Sequence, residues 1–158
     1  MKKLNPVLKN ILSALAVAFF GFILLNLAFI FDALFQGVLR MLFGLFLPLG
    51  PESNLYWFPP LMHCLFLAVI FLISYFVFKS KLKVIYKAIY MTVPVAAVLV
   101  TVGMFLNHWP IAVYSVGVLL CAGTLYYFYK TKQPWLYYYT VILVSVVLAI
   151  FTATGGEI

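Results

Sequence analysis

The sequence predicts an all-α integral membrane protein: five transmembrane helices plus one amphipathic or re-entrant helix, forming one domain over residues 1–158. Three observations predict it. Hydrophobic residues make up 67% of the chain and charged residues 8%, against about 25% charged in an ordinary globular domain. Apolar runs long enough to cross a bilayer recur from end to end. Nine of the ten basic residues sit in short clusters between those runs (Lys2, Lys3 and Lys9; Lys79, Lys81, Lys83 and Lys87; Lys130 and Lys132). That distribution reads as a topology signal rather than a phosphate-binding surface, so the net charge of +7 does not point to nucleic acid.

The first predicted span is Ile11 to Phe31. Three lysines precede it as in a signal peptide, but its 21 residues exceed a signal core of about 7 to 15. Its small residues also lie at its beginning, so it is expected to be a retained helix. No Gly or Pro separates it from Ala33 to Leu47. A single helix to Leu47 would measure roughly 55 Å against a hydrocarbon core of about 30 Å. The expectation is therefore a bend near Asp32, with residues 33–47 forming a separate interfacial or re-entrant helix.

Four further spans follow: Leu61 to Phe78, Ala88 to Leu106, Ile111 to Tyr129 and Trp135 to Phe151. Prolines at 59, 60, 110 and 134 mark three of their starts, where a missing N–H costs nothing. Gly155 and Gly156 mark the end of the last. Pro94 is expected to kink the third crossing. Connections as short as 107–109 and 130–133 make successive helices antiparallel neighbours. Gly117, Cys121 and Ala68 could support close packing there. Cys64 and Cys121 show no CxxC spacing and are expected to be buried, unreactive thiols.

Placing all three lysine clusters on the cytoplasmic side requires an even number of crossings between the first two. That favours five spans, with the N-terminus cytoplasmic and the C-terminus external, over six.

A shift of 51 positions aligns residues 56–103 with 107–154 without a gap. Eight positions match, among them Pro59 with Pro110, Lys79 with Lys130, Lys81 with Lys132 and Thr101 with Thr152. Either a two-helix hairpin has been duplicated, or aromatic belts and cytoplasmic lysines make any two hairpins look alike.

The polar residues narrow the candidate site. Asp32, Gln36 and Arg40 fall at i, i+4 and i+8, on one helical face. With five spans, Asp32, Glu52, His63, His108 and Glu157 all lie toward the outer face, with Arg40 as the one outer cation. Asp32, Gln36, Arg40, His63 and His108 are the candidate binding residues. Asp32 and Arg40 lie about 12 Å apart along a straight helix, so they need Gln36 or water between them. The bland alternative is that this pair anchors a helix at the interface.

The chain carries no HExxH, GxSxG, GxxxxGK[ST] or GxGxxG pattern. No ligand spacing supports a metal site at His63 and His108, and no cofactor is expected. The leading expectation is a non-enzymatic transport or solute-binding module, or a membrane subunit of a larger complex, with a polar vestibule on the outer side. The alternative is an enzyme acting on a lipid or isoprenoid-type substrate at the outer interface. The expected partners are the lipid bilayer and either further copies of the chain or a second membrane subunit.

Overall fold

A computed structural model describes residues 5–45 and 58–154. They form five helices: α1 (Pro6–Gly44), α2 (Phe58–Lys79), α3 (Val84–Leu106), α4 (Pro110–Lys130) and α5 (Trp135–Ala153). Each is long and apolar enough to cross a membrane. The four later spans lie where their apolar runs place them, each a few residues longer at one or both ends.

The first element differs from expectation. α1 is one unbroken helix of 39 residues running through Asp32, so the separate helix expected over 33–47 does not begin there, as far as Gly44. Residues 46 and 47 lie outside the described part. The helix also starts earlier, at Pro6, where the Asn5 side chain accepts a hydrogen bond from the Val7 amide at 3.1 Å. The reason for the continuity lies in one stripe. Val17 and Gly21 are buried, and Leu24, Ala28, Asp32, Phe35, Leu39 and Phe43 continue the same face as half-buried residues. Spacings of three and four keep that face on one side without a phase shift at Asp32. Hydrocarbon thickness limits only the part of a helix inside the bilayer, and tilt or projection accommodates the rest of its roughly 58 Å.

α3 is the centre of the bundle. It packs against all four other helices, and around it run α2, α1, α5 and α4 in that order, each touching the next. α2 and α4 do not pack against each other, so the ring is open on that side. The close approach of α1 and α3 depends on Gly21: a Cβ there would fall 2.6 Å from Thr92 Cγ2. Thr92 Oγ1 donates to the carbonyls of Ile89 (2.8 Å) and Gly21 (3.3 Å). A second joint holds α5 to α3, where buried Thr140 donates to the Ala88 carbonyl at 3.3 Å. Small residues and hydroxyls at such crossings are what hold helices together when lipid is as apolar as the side chains.

Val17, Ala88, Met91, Leu136, Tyr137 and Val141 form one apolar core, toward the lysine-bearing end. Phe66, Ile70 and Val93 form another, with Leu24, Ala28 and Phe35 against them. Pro94 lies buried within α3, which continues through it. α4 contributes no buried residue. Cys64 is exposed and Cys121 only half-buried, correcting the expectation that both thiols are buried. Cys64 follows His63 in α2 and lies off its buried face, while Cys121 Sγ meets Ser145 Oγ at 3.0 Å.

Helix ends recur at the 51-residue offset: Lys79 and Lys130 close α2 and α4, and Val84 and Trp135 open α3 and α5. A duplicated hairpin requires this, and so do two hairpins matched to one bilayer thickness.

Candidate functional site

Three helices bring a small polar cluster together. His63 is on the second turn of α2, on the same face as Met62, Phe66, Ile70 and Ser74, and is 5% exposed. That face packs against α3, so the imidazole points into the bundle rather than to lipid. Its Nε2 lies 2.9 Å from Thr101 Oγ1 on α3. Its Nδ1 lies 3.8 Å from Oδ2 of Asp32 on α1. The other carboxylate oxygen, Oδ1, accepts a hydrogen bond from Gln36 Nε2 at 3.0 Å.

Hydrogen-bond accounting fixes the direction of this chain. The Thr101 hydroxyl donates to the Ala97 carbonyl at 2.6 Å, one turn back in its own helix. Its single proton is used there, so toward His63 it acts as an acceptor. His63 Nε2 therefore carries the donated proton, and Nδ1 is the nitrogen that faces Asp32.

The surroundings of the pair are apolar. A cavity of about 20 Å³ beside Asp32 and His63 is lined otherwise by residues including Leu25, Ala28, Phe66, Val93 and Ala97. Such a space holds about one water molecule and no larger ligand. The aromatic rings of Phe31 and Phe35 stack around Phe66, which in turn lies 6.4 Å from the His63 ring. Among the described residues no group of three metal-ligating side chains occurs.

Of the sequence candidates, Asp32, Gln36 and His63 come together. Arg40 is exposed, two turns further along α1, and has no hydrogen bond or ion pair among the described residues. Gln36 turns back to Asp32 and does not bridge the two charges. His108 is exposed in the turn between α3 and α4, outside the cluster. Glu52 and Glu157 lie outside the described residues. Thr101 was not among the candidates. A hydroxyl five residues from the end of α3 sits at the depth of a histidine five residues into α2, and that matching depth was the available signal.

A second polar layer lies toward the lysine end. Ser74 Oγ meets Tyr90 Oη at 3.1 Å, and both also reach the Ile70 carbonyl. Along α3 it is separated from Thr101 by 11 residues, roughly 16 Å. The packed residues Phe66, Ile70 and Val93 fill the interval.

A larger cavity, of about 570 Å³, lies elsewhere, in the open side of the ring between α2 and α4.

No protein family matches this chain, and neither the curated proteins nor the solved structures hold a similar one.

Proposed function

We propose that this chain is a small non-enzymatic transport module of the cell membrane, with its N-terminus cytoplasmic and its C-terminus external. In this reading the Asp32–His63 pair holds the coupling ion, a proton. The observation that carries it is the meeting of a half-buried carboxylate and a buried imidazole inside an apolar bundle. With a proton on Nδ1 the two groups form an ion pair of zero net charge. Without it the site carries one uncompensated negative charge, at a cost of about 2.5 to 3.5 kcal/mol on insertion scales and less near the interface. Loading and unloading that proton is therefore a large local change, and proton exchange at such residues is a common basis of coupling in transporters. The apolar layer between the two polar layers supports a carrier over an open pore, since a proton has no polar route across it in this arrangement.

The space beside His63 favours a proton over a solute as the ligand, and it leaves no room for the lipid substrate of an enzymatic reading. The orientation rests on the lysine clusters; the two that follow α2 and α4 lie at one end, where the rings of Phe78, Phe128 and Tyr137 meet. A role as a subunit, with the same helices covered by other copies or a partner, draws support from α4, none of whose residues is fully buried within its own chain.

The test is a pH step applied to proteoliposomes on a solid-supported membrane. A transient displacement current that Asp32→Asn and His63→Gln both abolish is expected. Equal currents in all three proteins would overturn the reading.

A further inference from the structure

The open side of the helix ring is a groove with two different ends. Its shaft is mostly apolar, formed by Phe71, Met91, Pro94, Leu99 and Leu120 with Thr124 among them. Its mouth, at the lysine end, carries Lys87 and Gln133. Because α2 and α4 do not pack together, the groove opens sideways between two helices that are each apolar enough to cross a membrane.

Two observations identify the occupant. The first is size. A helix about 10 Å across displaces roughly 80 Å³ for each ångström of its length. A groove of about 570 Å³ would thus seat less than two turns, whereas it lies within the ordinary range for a flexible small ligand. The second is charge. Lys87 Nζ gives one hydrogen bond, to the Phe78 carbonyl at 2.7 Å, and has two more protons to donate. Lys79 and Lys130 end α2 and α4, and Lys81, Lys83 and Lys132 lie in the two connections that follow, at the same end. Among the described residues no acidic side chain lies at that end.

From these we infer that the groove between α2 and α4 is a binding site for an anionic phospholipid of the leaflet on the lysine side. One acyl chain runs along α3 past Met91 and Pro94, and the phosphate rests at Lys87 beside Gln133. An apolar shaft with one cation at its mouth recognises that combination: the chain supplies buried area, and the lysine supplies discrimination by headgroup charge.

The experiment is native mass spectrometry of delipidated protein titrated with phosphatidylglycerol and with phosphatidylcholine of the same chains. One phosphatidylglycerol is expected to bind about five- to tenfold more tightly than phosphatidylcholine, which corresponds to a single lysine near a headgroup. Lys87→Gln should remove the preference and Lys87→Arg should restore it. Thr124→Phe, which fills the shaft, should weaken both lipids while leaving the thermal transition in place. Equal binding of the two lipids by the native chain would overturn the proposal. So would a preference untouched by Lys87→Gln, a dimer that forms without lipid and excludes it, or competition by inorganic phosphate alone.

Discussion

His63 Nε2 donates to Thr101 Oγ1 across 2.9 Å, and it can only donate, because the threonine's own proton is committed to the Ala97 carbonyl. This contact turns the other ring nitrogen toward Asp32 and joins α2 to α3 at the level where α1 brings its carboxylate.

Thr101→Val should therefore leave a buried N–H without an acceptor. The expected loss is about 1 to 3 kcal/mol, the cost of an unsatisfied buried donor. Thr101→Ser keeps the acceptor and should stay close to the native chain. Thermal unfolding in one lipid mixture compares the two, and equal losses would mean that methyl packing matters more than the hydrogen bond.

Asp32 and Arg40 should behave differently, although they share a helix face. Asp32→Ala removes the partner of a buried histidine and should cost about 1 to 3 kcal/mol. Arg40→Ala removes an exposed side chain with no described partner and should stay within about 0.5 kcal/mol. Denaturation in mixed micelles measures both. A loss at Arg40 as large as that at Asp32 would show that the pair acts together as an anchor.

The continuity of α1 makes its own prediction at Ala33, which is exposed and follows Asp32 directly. Ala33→Pro removes a helical hydrogen bond and clashes with the preceding turn, at about 3 kcal/mol or more. A helix that already broke at this point would accept proline with little change in unfolding temperature.

Gly21→Ala places a methyl group 2.6 Å from Thr92 Cγ2, against a side chain held by its hydrogen bonds. A loss of about 1 to 3 kcal/mol is expected, as for overpacking elsewhere. In the double variant with Thr92→Ala, most of that added cost should vanish. Additive losses in a double-mutant cycle would place the strain elsewhere.

Much of this fold was legible in the residues. Apolar runs fixed the four later helices within a few positions, because length and hydropathy are what a bilayer selects. Lysine clusters and prolines marked their ends. The break expected in α1 from bilayer thickness does not occur, because no helix breaker lies there and the stripe from Val17 to Phe43 makes one uninterrupted face. Within the candidate site, Asp32 and Gln36 could be paired from their spacing, since i and i+4 are neighbours on any helix. The meeting with His63 and Thr101 depends on how three helices rotate about their axes, which no local pattern encodes. The groove was invisible for the same reason: it exists because α2 and α4 fail to touch.

Asp32 and His63 face each other within the bundle, and the most direct measurement of that pairing is ¹⁵N NMR of histidine-labelled protein in nanodiscs. His108→Gln leaves His63 as the one remaining signal, since the chain has two histidines. In that background the account predicts that Asp32→Asn moves the Nδ1 resonance of His63 and that Thr101→Val moves the Nε2 resonance, each nitrogen answering to its own partner. An Nδ1 signal untouched by Asp32→Asn would contradict it.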